Sequence, residues 1–88
     1  MTTNAFILTQ LQHDLAQAFK WMGKATKESQ EGDFAGAAYS MQIAMEYWLK
    51  CQHTRDRNVD DDTADSLDWK FFTTKALAMA KQELAKED

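Results

Sequence analysis

The sequence predicts an all-α protein, a single domain built as an antiparallel three-helix bundle. Three observations predict it. The 88 residues include no proline and only three glycines, so little in the chain interrupts a helix. Apolar side chains recur at three- and four-residue steps along three segments. Between those segments stand one short and one longer polar break, and no stretch alternates residue by residue as a half-buried strand would. Helices of roughly 20–26 residues, joined by a tight turn and a longer loop, pack as rods about 30–39 Å long.

The first helix is expected over residues 4–29. Leu8, Leu11, Leu15, Phe19, Met22 and Ala25 fall on one face. Phe6, Ile7, Ala18 and Trp21 widen the stripe, so this helix touches more than one neighbour. Asn4 suits the N-cap, where its side chain accepts from an unpaired amide. Gly32 suits the stop, because glycine takes a left-handed conformation at little cost.

The second helix is expected over residues 33–53, with Asp33 as N-cap. Its stripe is Phe34, Ala37, Ala38, Met41, Ala44, Met45, Trp48 and Leu49, and the alanines predict close approach to its neighbours. Thr54 to Asp62 reads as a solvated loop. The third helix is expected over residues 64–86, capped by Asp62 or Thr63, with Asp65 favoring the dipole of its first turn. Leu67, Trp69, Phe72, Ala76, Leu77, Met79, Ala80 and Leu84 form its face, and Lys75, Lys81 and Lys86 collect toward its C-terminal half.

Composition bounds the function. The formal charge of −4 argues against nonspecific nucleic-acid binding, which basic charge and counterion release drive. It suits a basic protein partner. A chain of this size buries about 60–65% of the surface its unfolded form exposes, which leaves little depth for a catalytic pocket. The one cysteine, Cys51, has no intramolecular partner and reads as a buried, inert thiol in a reducing compartment. No apolar run reaches the roughly 20 residues that span a bilayer. The N-terminus lacks the basic and apolar regions of a signal peptide. A cytoplasmic location without direct membrane insertion is the expectation.

Metal and catalytic motifs fail on spacing. A calcium loop started at Asn58 finds Asp60 and Asp62 in place, but the sixth position lacks glycine and the twelfth is Trp69. His13 and His53 are the only histidines, and no zinc spacing exists. There is no phosphate-binding glycine loop and no nucleophile elbow. No cofactor and no enzymatic activity are expected. Five methionines and ten aromatic residues remain. Most are expected to fill the core. Trp21, Tyr47 and Trp69 are expected at groove edges, where such side chains accept a partner helix.

Lys24-Ala25-Thr26, Glu28, Asp33-Phe34, Ala37, Gln42, Ala44 and Glu46-Tyr47-Trp48-Leu49 resemble the microtubule-interacting and trafficking (MIT) domain, and Lys75-Ala76 falls where that family often has Arg-Ala. The resemblance spans nearly the whole chain. It implies a three-helix bundle that binds short C-terminal motifs of ESCRT-III-type subunits in a groove between helices one and three or two and three. Carried onto this chain, the second groove involves Ile43, Tyr47, Lys70, Thr73, Thr74 and Leu77. The family commonly has leucine at the place of Thr73 and acidic groups at those of Thr74 and Leu77.

The stretch GDFAGAAYSMQIAMEYWLK is also similar to the helix pair of HEPN domains. The Arg-x(4–6)-His motif of active HEPN ribonucleases is not met, since no histidine follows Arg55 or Arg57.

The sequence therefore supports a non-enzymatic module that accepts a partner helix or peptide in an inter-helix groove. The alternative is a stand-alone small acidic adaptor or inhibitor of a larger complex, of bacterial or phage type. Ending at Asp88, the chain reads either as an excised domain or as an independent small protein. A spare apolar face on the first helix serves a homodimer as readily as a third helix.

Overall fold

The computed structural model describes residues 5–59 and 68–86. Among them three helices form: α1 (Ala5–Gln30), α2 (Phe34–Asn58) and α3 (Trp69–Lys86). No described residue is in a strand. The expected all-α three-helix bundle is the fold.

The turn between α1 and α2 is built as its residues dictate. Gly32 takes φ +83°, the left-handed value that glycine adopts without a Cβ clash. Asp33 then caps α2, its carboxylate accepting from the Gly36 amide at 2.9 Å. The first turn of α2 has room for this only because residue 36 lacks a side chain. A Cβ there would fall onto the carboxylates of Asp33 and Glu28. Glu28 also accepts from the Ser40 hydroxyl, tying the end of α1 to α2.

Two expected boundaries shift. The second helix continues through Asn58 instead of ending at His53. Nothing in Thr54–Asn58 breaks a helix, and Arg55 and Arg57 meet the negative end of its dipole. Val59, expected in a loop, ends α2 in an extended conformation and is buried in the core. Asp68 caps α3, accepting from the Phe71 amide at 3.1 Å. The expected caps at Asp62 or Thr63, the first turn at Asp65, and the Asn4 cap lie outside the described residues.

Helix α1 is the centre of the bundle. Against α2 it runs antiparallel: Cys51 packs beside Leu11 at one end and Ser40 bonds Glu28 at the other. Against α3 it runs parallel. Gln12 donates to the Phe72 carbonyl at 3.4 Å, Lys20 reaches Glu83 at 3.5 Å, and Gly23 lies under the Leu84 methyl. The core joins Leu11, Leu15 and Ala16 of α1, Cys51 and Val59 around α2, and Phe72 and Ala76 of α3. No Cα of α2 lies within 8 Å of a Cα of α3.

The packing face of α2 overturns an expectation. Its buried residues are Ser40, Ala44 and Cys51. Small side chains there bring α2 close onto α1. Phe34, Met41, Met45, Trp48 and Leu49, expected in the core stripe, are 40–70% exposed. The 3.6-residue period holds two apolar faces on this helix, one of small residues and one of large, and α1 takes the small one.

Candidate functional site

Because α2 and α3 flank α1 with no Cα of one within 8 Å of a Cα of the other, a cleft opens between them over α1. Leu11, Leu15 and Phe19 of α1 make its floor. Trp48, Cys51, Gln52 and Arg55 make the α2 wall, and Trp69, Phe72 and Thr73 the α3 wall. The cleft holds about 290 Å³. Trp69 meets Phe72 edge to face at 5.5 Å, an arrangement that aligns one ring's edge with the other's electron-rich face. The Arg55 guanidinium stands 5.5 Å from the centre of the Trp69 ring. Among the described lining residues, Arg55 is the one that is charged at neutral pH.

A second hollow of about 310 Å³ continues from it along α1 and α2. Phe19 and Trp48 line both, and Met22, Met41, Ala44 and Met45 complete the second. Its lining is wholly apolar.

Of the six residues expected at a groove between helices two and three, Thr73 lines the cleft. Ile43 and Tyr47 are half-buried on α2, on the flank of that helix away from Trp48 by helical spacing. Lys70, Thr74 and Leu77 are exposed on α3, and the Thr74 hydroxyl donates to the Lys70 carbonyl at 2.8 Å. Trp69 stands at a cleft edge as expected. Trp21 stands elsewhere, with the Lys24 ammonium 4.4 Å and the Lys20 ammonium 5.7 Å from its ring centre. Leu11, Leu15, Phe19 and Cys51 of the cleft were expected only as core, and Trp48, Gln52, Arg55 and Phe72 were also not assigned to a site. Their signal was present in part: Trp48, Gln52 and Arg55 recur at four- and three-residue steps on α2.

The polar interior is small. Cys51 is buried, its thiol 3.8 Å from the Leu11 carbonyl. Burial pushes its pKa up to about 11, the charge of Asp14 adds to the rise, and Arg55 opposes it. The thiol is therefore protonated at neutral pH and supplies no thiolate. Asp14 is buried on α1; one carboxylate oxygen accepts from the Gln10 amide at 3.2 Å and lies 3.5 Å from His13. Among the described residues no cluster of three or more His, Cys, Asp and Glu is arranged to hold a metal. No helix among them is long and apolar enough to cross a membrane.

The fold and cleft define a class, an all-α three-helix bundle with an apolar cleft between its outer helices. Comparison of the chain with protein-family models, curated proteins and solved structures finds no match.

Proposed function

We propose that this chain is a non-enzymatic interaction module that accepts one amphipathic helix of a partner protein in the cleft between α2 and α3. The observation that carries this reading is the gap itself. Two helices stand apart over a floor of Leu11, Leu15 and Phe19, and water in contact with the exposed rim, Trp48 above all at 45%, is unfavorable. A third wall of apolar side chains removes it. The partner helix presents leucine-like residues at i, i+3, i+4 and i+7 toward the floor. It carries a carboxylate where it passes Arg55, since that guanidinium is the charge on the described lip. Aromatic linings such as Phe19, Trp48, Trp69 and Phe72 suit such a role because they bury large areas.

The test is photo-crosslinking from a residue placed at Thr73, with the same probe at Lys75 as control. The reading expects Thr73 to crosslink to an amphipathic segment of another protein, and Lys75 to give far less. It expects Thr73→Lys to abolish capture. Equal crosslinking from both positions, recovery of nucleic acid, or crosslinks from Thr73 to a second copy of this chain would contradict it.

A further inference from the structure

Exposed side chains of α2 follow a heptad. Phe34, Met41 and Trp48 recur every seven residues. Ala38, Met45 and Gln52 do the same, offset by four. This is the spacing of a two-helix seam, and on α2 it is exposed along its length. Phe34 is 70% exposed and Met45 58%. A lone scatter of surface apolar residues needs no explanation, but an unbroken stripe marks an interface.

We infer that this face of α2 pairs antiparallel with α2 of a second copy, making a two-fold dimer. Two observations select a second copy over an unrelated helix.

The first is shape. Centred between Met41 and Met45, an antiparallel pairing sets Ala38 opposite Trp48, Met41 opposite Met45, and Phe34 opposite Gln52. The smallest seam residue thus faces the largest, twice by symmetry. A parallel pairing sets tryptophan against tryptophan and leaves alanine against alanine.

The second is area. Phe34, Met41, Met45, Trp48 and Leu49 expose 40–70% of their surfaces. With side chains of roughly 200 Å², they leave on the order of 500 Å² per copy, or about 1,000 Å² for a pair, near the lower bound for a specific interface. The pairing also closes the hollow lined by Phe19, Met22 and Met45, while the cleft at Trp69 and Thr73 stays open. The pairing shares Trp48 and Gln52 with the α2 wall of that cleft and leaves the α3 wall free.

Sedimentation equilibrium of the full chain tests the dimer. The expected mass is twice 10.1 kDa. Met45→Glu is expected to weaken the dimer by more than about tenfold in dissociation constant, with the helical circular dichroism of the parent. Thr73→Lys, in the cleft, is expected to leave it intact. Disulfide trapping in a Cys51→Ala background tests the direction. Phe34 and Gln52 lie about 27 Å apart along α2, from 1.5 Å per residue. A mixture of the Phe34→Cys and Gln52→Cys variants should crosslink, and Phe34→Cys alone should not. A chain that is monomeric up to its solubility limit, a dimer indifferent to Met45→Glu, or trapping by Phe34→Cys alone would overturn the inference.

Discussion

The guanidinium of Arg55 on α2 stands 5.5 Å from the centre of the Trp69 ring on α3. It reaches across two helices whose Cα atoms nowhere come within 8 Å of each other. Over an aromatic face a cation is worth about 0.5–1 kcal/mol at an exposed site. Arg55→Ala is expected to lower stability by about that amount and to speed amide hydrogen exchange in the first turns of α3. Urea denaturation and native-state exchange measure the two effects. Unchanged exchange in α3 would mean that the bridge does not hold that helix.

Neighbouring positions on α2 are expected to respond in opposite ways. Ala44 is buried against α1 and Met45 is mostly exposed. Ala44→Leu forces extra methylenes into a close helix contact and is expected to cost about 1–3 kcal/mol. Met45→Ala is expected to change the stability of the isolated fold by about 0.5 kcal/mol or less. Denaturant midpoints for the pair decide it, and a reversed order would put the wrong face of α2 against α1.

At the turn, Asp33→Ala removes the cap of α2 and is expected to cost about 1 kcal/mol. Gly36→Ala is expected to destabilise as well, although alanine is the better helix former by about 1 kcal/mol. The added Cβ meets the carboxylates of Asp33 and Glu28, so the cap must move. Thermal unfolding of the two variants checks both signs.

Cys51 gives a pH dependence. Its folded pKa is about 11 against an ordinary 9.0, raised first by burial and then by Asp14. As pH rises past 9 the unfolded chain loses a thiol proton that the native state keeps, so this group's contribution to stability falls between about 9 and 11. The difference in stability between the parent and Cys51→Ala should therefore shift in favor of the variant across that window. A difference that stays flat with pH would remove the buried, protonated thiol from the account.

Much of the bundle was legible in the sequence for local reasons. Leu11 and Leu15 on one face of α1, the left-handed Gly32 and the capping Asp33 act within a few residues of themselves, and periodicity and turn chemistry report such effects directly. The face of α2 was not legible. Ala44 and Met45 are adjacent in an apolar run, and the period alone does not say which α1 covers. Close approach of two backbones selected the small residues, a choice made by the whole pair of helices. The cleft was half legible for the same reason: Trp69 stood out as an aromatic near an edge, and Thr73 lines the cleft. Trp48 looked like core until α2 was seen to turn it away from α1. Val59 beyond the expected helix end had no local signal at all, since its burial depends on where α1 and α3 lie.

The three tryptophans allow the most direct test of the helix-accepting cleft. Trp48 and Trp69 line it, and Trp21 lies under Lys24, away from it. With ¹⁵N-labelled indoles, the partner segment captured through Thr73 is titrated into the full chain and the three side-chain resonances are followed. The account predicts that the Trp48 and Trp69 signals shift together and saturate while Trp21 holds still. Movement of Trp21 alone, or binding that leaves Trp48 and Trp69 unmoved, would contradict it.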